Sequence, residues 1–325
     1  MRIVLVGAGL AAQRCAETLR ANGHDGPITM VGAERHAPYD RPPLSKAILA
    51  GERPDLRFKD VDVSLRTGTR ATQVTRTEVV LDTGERLPYD QALIATGAEP
   101  VRLPGLDHAL TLRTLDDALR LDEAMDHARS IAIVGAGLIG QEVASAARAR
   151  NLRTTLIDAA ADPFDALMGP GGGHHLKTLH EDAGVTLHLG RRLIAASKNV
   201  LRLDDQTTVT ADLTLVAIGV RPATLPAPGN VHFAGDVTGS AHWEAAARQG
   251  ANAARKMLGL APRQDPPAVV WTDQYGVRIQ RVGDLRDATP NGDLTYHRDG
   301  RLAAVVLIDD PAGVHTARRM IKEAA

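Results

Sequence analysis

Ile3-Val4-Leu5-Val6-Gly7-Ala8-Gly9-Leu10-Ala11-Ala12 is the stretch whose reading decides the fold. Four apolar residues predict a buried strand, and the glycines behind them predict a tight turn into a helix over roughly Ala11–Ala21. A second strand, Ile28–Val31, follows, with Glu34 just beyond it. The same pattern recurs in Ile131–Val134, Gly135-Ala136-Gly137-Leu138-Ile139-Gly140, a helix over roughly Ile139–Arg150 and a strand Thr154–Ile157 that ends at Asp158. A G-x-G-x-x-G pattern is weak evidence alone. Here each copy lies between a strand and a helix, with an acidic residue about 20 positions on, which is the context of a dinucleotide-binding turn.

The residue types explain the chemistry. The first glycine makes the turn, the second lets backbone approach a pyrophosphate, and the third position must be small so that helix and strand pack. Ala12 and Gly140 meet that last requirement. The pyrophosphate then sits at the positive end of the helix, and Glu34 or Asp158 accepts hydrogen bonds from an adenosine ribose. A bare glycine-rich βα turn is the alternative for one copy, but two copies in register weigh against it. A second signature also repeats, since Leu93-Ile94-Ala95-Thr96-Gly97 has its counterpart in Leu215-Val216-Ala217-Ile218-Gly219. The expected fold class is α/β, with two Rossmann-like dinucleotide-binding domains and a small C-terminal α/β domain.

Composition narrows the function. The chain has 325 residues, 44% of them hydrophobic and 24% charged, which suits a globular protein of two or three domains. A formal net charge of −1 gives nucleic-acid binding no support. The single cysteine, Cys15, excludes an intrachain disulfide and any iron–sulfur or zinc site built from several thiolates. It fits a reducing compartment, so a cytoplasmic location is expected. The opening strand predicts no secretory leader, and no apolar run is long enough to span a membrane. No metal site is expected. The 12 histidines are scattered, and Gly171-Gly172-Gly173-His174-His175 reads as a loop or helix start.

Further stretches make the reading specific: Tyr39-Asp40-Arg41-Pro42-Pro43-Leu44-Ser45-Lys46, Leu112-Arg113-Thr114-Leu115-Asp116-Asp117-Ala118, Phe233-Ala234-Gly235-Asp236, His242-Trp243-Glu244 and Trp271-Thr272-Asp273-Gln274-Tyr275-Gly276. With these motifs, nearly the whole chain resembles the ferredoxin reductase branch of the pyridine-nucleotide-dependent flavoprotein reductases. That branch includes the putidaredoxin, rubredoxin and biphenyl-dioxygenase ferredoxin reductases. The resemblance implies FAD in the N-terminal dinucleotide domain and NADH in the inserted one. By position, Gly7, Gly9, Leu10, Ala11, Ala12 and Glu34 would hold the ADP half of FAD, with Thr96 and Gly97 nearby. Val74 would touch the adenine end through its backbone, Arg113 would hold FAD at the domain junction, and Asp236 would bind its ribityl or pyrophosphate part. Arg41 and Lys46 would lie near the pyrophosphate and the ring, where a cation stabilises reduced flavin. Trp243 would sit against the isoalloxazine. Solvated loop charges remain the alternative for Arg41 and Lys46, plain core packing for Trp243, and capping of the following helix for Asp236, while Trp271 is expected to pack at the C-terminal domain rather than relay electrons.

For the second nucleotide the residues are Gly135, Gly137, Leu138, Ile139, Gly140, Asp158 and Gly219, and Glu142 resembles the family glutamate close to the nicotinamide. Asp158 repels a 2′-phosphate and Ala159-Ala160-Ala161 offers no arginine to bind one, so NADH is expected over NADPH. Disulfide reductases of the superfamily carry a cysteine pair beside the flavin, and none exists here. Electrons must therefore leave from the flavin itself, and the resemblance implies a ferredoxin-type partner serving an oxygenase. An NADH oxidase or quinone reductase, and a non-catalytic NADH-sensing flavoprotein, stay open as alternatives. Arg248, Arg255 and Lys256 on one helix, and Arg318, Arg319 and Lys322 on another, are candidate docking cations or ordinary solvated charges.

The expected domains are FAD-binding over 1–105 and 223–264, NAD-binding over 106–222, and C-terminal over 265–325, with Pro262, Pro266 and Pro267 at a boundary. The tail is expected to place strands at Gly276–Val282 and Leu302–Ile308 before a helix near Val314–Glu323. The chain departs from the branch between Gly219 and Gly235, where relatives usually carry an extra strand pair and this chain has a short, proline-marked tether.

Overall fold

A computed structural model describes residues 1–240 and 242–324. The chain divides into two compact units, one of residues 1–40, 55–99 and 220–265 and the other of residues 41–54, 100–219 and 266–325.

The first unit is built on a five-stranded parallel sheet. Its strand order is His232–Phe233, Gln91–Ile94, Ile3–Val6, Ile28–Val31, Ser64–Arg66. All four residues of Ile3–Val6 are buried because both faces of the sheet are covered. Ile3 and Leu5 meet Ala12, Cys15 and Leu19 of the helix Leu10–Ala21. Val4 and Val6 meet Val74, Val79 and Leu81 of a three-stranded antiparallel sheet. Strand alternation thus splits one apolar run between two layers. The helix Trp243–Met257 packs on Leu10–Ala21 at close range, since a Cβ on Gly250 would lie 2.1 Å from the Ala11 carbonyl oxygen.

The second unit repeats the plan. Thr186–Leu189, Arg153–Asp158, Ser130–Val134 and Leu213–Val216 form a parallel sheet in that order. An antiparallel sheet of Leu193–Ser197, Val200–Leu203 and Thr208–Thr210 covers one face, packing Leu201, Leu203 and Val209 on Ala132, Val134 and Ile157. The helix Leu138–Ala149 follows the glycine turn. The α/β class with two Rossmann-like halves is the observed one.

The C-terminal strands pair antiparallel in the order Val269–Gln274, Val277–Gly283, Arg301–Ile308, Thr295–Arg298, Thr289–Pro290. The helix Gly313–Ala324 closes this sheet by burying Ala317 and Ile321 on Val269 and Val282, and Trp271 packs against the same cluster. Among the described residues no helix is long and apolar enough to cross a membrane. His174 and His175 open the helix His174–Asp182, and no described group of three or more His, Cys, Asp and Glu side chains could hold a metal ion.

Candidate dinucleotide-binding sites

In the first unit the turn Gly7–Gly9 is dictated by contact. Gly7 has φ +117°, and a Cβ there would lie 2.0 Å from the Ala95 carbonyl oxygen, so only glycine fits. Gly9 is the opposite case, because a Cβ there would meet nothing within 4 Å. Gly9 also precedes the helix Leu10–Ala21 without any side-chain cap. The first N–H groups of a helix have no intrahelical partners. An uncapped helix start with open space in front of it is a cradle for an anionic group.

Glu34 stands beyond the second strand, where its carboxylate accepts the Tyr39 hydroxyl at 2.6 Å. The Val74 side chain is buried in the core, which leaves only its backbone to meet a ligand. Thr96 donates its hydroxyl to the Ala223 carbonyl at 2.5 Å, and Ala223 donates its N–H to the Gly97 carbonyl at 3.0 Å. The tether after Gly219 is thereby fastened to the Ala95-Thr96-Gly97 corner. Asp236 begins a short 3₁₀ turn, Asp236–Thr238, behind Gly235 at φ +82°. The following helix starts at Trp243 behind His242, so Asp236 is not its cap. Trp243 is half-buried and donates its indole N–H to Asp40 at 2.6 Å. Cys15 is fully buried behind the turn, and burial pushes its thiol up to about 12, so it is a packing residue and no redox group.

The second unit repeats the cradle with tighter packing. A Cβ on Gly135, at φ +110°, would lie 2.4 Å from the Ala217 carbonyl oxygen. A Cβ on Gly140 would lie 2.0 Å from the Gly135 carbonyl oxygen, so this helix approaches its turn more closely than Ala12 requires of the first. Gly137, before the uncapped helix Leu138–Ala149, faces open space. Asp158 ends its strand with the carboxylate fixed by two backbone donors, Ala136 at 2.7 Å and Ala160 at 2.8 Å. Both turns therefore fit the pyrophosphate of a dinucleotide, and in the second an acid is hydrogen-bonded to the turn itself.

Lys46 and Glu142 meet in the second unit, although the sequence separates them widely. Lys46 Nζ lies 2.7 Å from Glu142 Oε1, and the Ser45 hydroxyl donates to Glu142 Oε2. Glu142 is 5% exposed and Lys46 21%, so this is a partly buried pair. Pairing and hydroxyl donation together make such burial tolerable. Arg41 is not a loose loop charge, because its guanidinium donates to the Arg113 carbonyl at 2.6 Å. Arg113 in turn sits on a capping box, in which Thr114 caps the helix Leu115–Asp126 and Asp117 accepts the N–H groups of Thr114 at 2.9 Å and Arg113 at 3.1 Å. That box explains the Leu112–Ala118 stretch. Gly219 accepts the Val101 N–H at 3.0 Å and has φ +106°.

Several residues were not anticipated from sequence. Thr272, Gln274 and Gln141 are buried and hydrogen-bonded around Glu142. Their signal was legible: Thr272 and Gln274 are polar residues at the core-facing positions of an alternating strand. Arg191 donates its backbone N–H to the Asp158 carbonyl at 2.9 Å while its guanidinium pairs with Asp205 at 2.8 Å. The Arg191 backbone is thus held beside the end of the Asp158 strand, and an acid holds its side chain.

Residues 1–233 match the family model described as pyridine nucleotide-disulphide oxidoreductase. The chain belongs to this family. Among curated members, the ferredoxin--NAD(+) reductase component of 3-phenylpropionate/cinnamic acid dioxygenase from Photorhabdus laumondii is 34% identical, over 87% of this chain and 84% of that protein. The corresponding component of the p-cumate 2,3-dioxygenase system from Pseudomonas putida is 31% identical, over 99% of this chain and 93% of that protein. The second alignment runs over 379 positions against a chain of 325 residues, so that relative carries residues missing here. Among solved structures, the covalent putidaredoxin reductase–putidaredoxin complex matches with a TM-score of 0.88 and 27% identity, over 99% of this chain and 93% of that one. Within a family named for disulphide chemistry, this member has one cysteine, fully buried in a helix.

Proposed function

We propose that this chain is an NADH-dependent FAD flavoprotein that passes electrons to a ferredoxin-type iron–sulfur partner of an oxygenase system. The observation that carries the reading is the pair of open glycine cradles, each with its acid, in a chain whose only thiol is sealed in a core. The relatives named as ferredoxin--NAD(+) reductase components support the choice of partner. When bound, FAD supplies the conversion of two electrons received together into two released singly.

The chain's own residues bind and orient. Gly7, Gly9 and the start of helix Leu10–Ala21 receive the pyrophosphate of FAD, and Glu34 its ribose, with Leu10, Ala11, Ala12, Val74, Thr96, Gly97, Asp236 and Trp243 completing the contacts of that unit. Gly135, Gly137 and the start of helix Leu138–Ala149, with Leu138, Ile139, Gly140 and Gly219, receive NADH. Asp158, already fixed by Ala136 and Ala160, accepts from the ribose hydroxyls and repels a 2′-phosphate. Lys46 holds a positive charge for the reduced ring, and Glu142 fixes where that charge stands. The same reading puts the protein in the cytoplasm, in keeping with a single free cysteine.

Anaerobic addition of NADH, then NADPH, to the purified protein tests the reading. The expected result is a yellow protein whose absorbance near ~450 nm bleaches with NADH far faster than with NADPH, and whose reduced form then reduces a ferredoxin. A colourless protein that FAD cannot reconstitute, or one that bleaches with neither nucleotide, overturns it.

A further inference from the structure

A buried polar chain in the second unit runs beyond Lys46 and Glu142. Helix Leu138–Ala149 buries two consecutive polar side chains, Gln141 at 1% exposure and Glu142 at 5%. Against them stands the strand Val269–Gln274, whose alternation buries Val270, Thr272 and Gln274 on one face. Thr272 Oγ1 donates to Glu142 Oε1 at 2.8 Å, the same oxygen that Lys46 Nζ approaches at 2.7 Å. Gln274 Nε2 donates to Thr272 Oγ1 at 3.0 Å and to Gln141 Oε1 at 3.0 Å. Gln141 Nε2 donates to the Ala136 carbonyl at 2.8 Å, and Ala136 gives its own N–H to Asp158. The chain therefore runs without a break from the ribose-reading acid of the nucleotide turn to the Lys46 ammonium.

The direction of each bond is constrained. A hydroxyl has one proton, and the Thr272 oxygen already receives Gln274, so its proton goes to Glu142. Burying such groups is costly unless each is used, and Gln274 Oε1 has no partner at all among the described residues. Apolar residues would pack here at less cost. What the polar chain supplies is orientation: with Thr272 in place, Glu142 has its Oε1 pinned from the C-terminal sheet and its Oε2 from Ser45.

We propose that Thr272 and Gln274 of the C-terminal sheet are positioning residues, holding the Glu142 carboxylate on Lys46 and tying both to the nucleotide turn through Gln141. This rests on the reading that Lys46 and Glu142 act at the flavin and nicotinamide. The C-terminal sheet is then part of the electron-transfer machinery as well as a covering layer.

The test uses the FAD-loaded protein and rapid-mixing kinetics with NADH. Thr272→Val removes the hydroxyl at constant volume; the limiting rate of flavin reduction is expected to fall about tenfold, the scale of one hydrogen bond to a charged group. NADH affinity should stay within about twofold, and Thr272→Ser should restore the rate to within about twofold of the parent. In a Glu142→Gln background Thr272→Val should add nothing, because its path to Lys46 is already cut. A second readout is independent of turnover: the ¹³C resonance of reductively methylated Lys46, assigned with Lys46→Arg, should move in Thr272→Val and not in Thr272→Ser. If Thr272→Val does not fold, Gln274→Met, which removes the donor to Thr272 and Gln141 but leaves the Thr272 bond to Glu142, carries the test, with a smaller loss of rate expected. Thr272→Val with unchanged rate and unchanged Lys46 resonance overturns the proposal, as does full additivity with Glu142→Gln. If Lys46→Met and Glu142→Gln themselves leave flavin reduction unchanged, the underlying reading fails and this proposal with it.

Discussion

Gly137→Ala separates folding from nucleotide binding. Gly137 has φ −69° and ψ 178°, which alanine adopts without strain, and its Cβ would meet no heavy atom within 4 Å. Stiffening the unfolded chain favours the variant by about 0.4–1 kcal/mol. Alanine caps a helix less well than glycine by a similar amount, so the net change in stability is expected within ~1 kcal/mol. On the proposed reading, the space that the methyl enters is the space that the pyrophosphate needs. Losing one or two backbone bonds to a charged oxygen costs about 1.5–3 kcal/mol, or roughly 10- to 100-fold in affinity for NADH. Gly135→Ala is the control, because at φ +110° its Cβ overlaps the Ala217 carbonyl oxygen at 2.4 Å and the domain itself should be destabilised by at least ~2 kcal/mol. Melting curves of the flavin-loaded proteins and rapid-mixing titration with NADH read the two effects apart. Gly137→Ala with parental NADH affinity would refute the assignment of this cradle to the nucleotide, and a melting point as low as that of Gly135→Ala would refute the reading of the space as open.

Three further outcomes are expected. Asp158→Asn should weaken the preference for NADH over NADPH by about tenfold, and adding Asp205→Asn, which frees the Arg191 guanidinium, should weaken it further; kcat/KM for both nucleotides measures this. His180 is fully buried, donating or accepting at Nδ1 with the Tyr275 hydroxyl 2.6 Å away, and burial lowers it from 6.5 to about 4. The unfolded chain takes up that proton first, so stability present above pH 6.5 should be lost as pH falls toward 4, by up to ~3 kcal/mol, and His180→Phe should remove this part of the acid sensitivity in urea melts at several pH values. Lys256→Glu should slow reduction of an acidic ferredoxin at low salt by about threefold without slowing ferricyanide reduction. Arg248 is a poorer test of that face, being already paired with Glu244 at 3.4 Å and Asp265 at 3.1 Å. Arg255 and Lys256 lie in the last turn of their helix, where they also complement its dipole.

Much of this protein is legible in its sequence, and the reason is locality. The turns at Gly7–Ala12 and Gly135–Gly140 are specified by neighbours along the chain, as is the Thr114–Asp117 capping box. Strand burial follows from apolar runs, and the single cysteine decides against disulfide chemistry by arithmetic. Tertiary structure alone decided which distant residues meet. No periodicity pairs Lys46 with Glu142, or brings Thr272 and Gln274 from the C-terminal sheet onto the helix behind the nucleotide turn. It also set Arg191 beside Asp158, since parallel neighbours in a sheet come from segments far apart in sequence, and fastened Ala223 to Thr96 and Gly97. Hydrogen bonds and ion pairs act over a few ångströms of space, while the sequence records only distance along the chain, so the cradles could be read from it and the polar chain behind them could not.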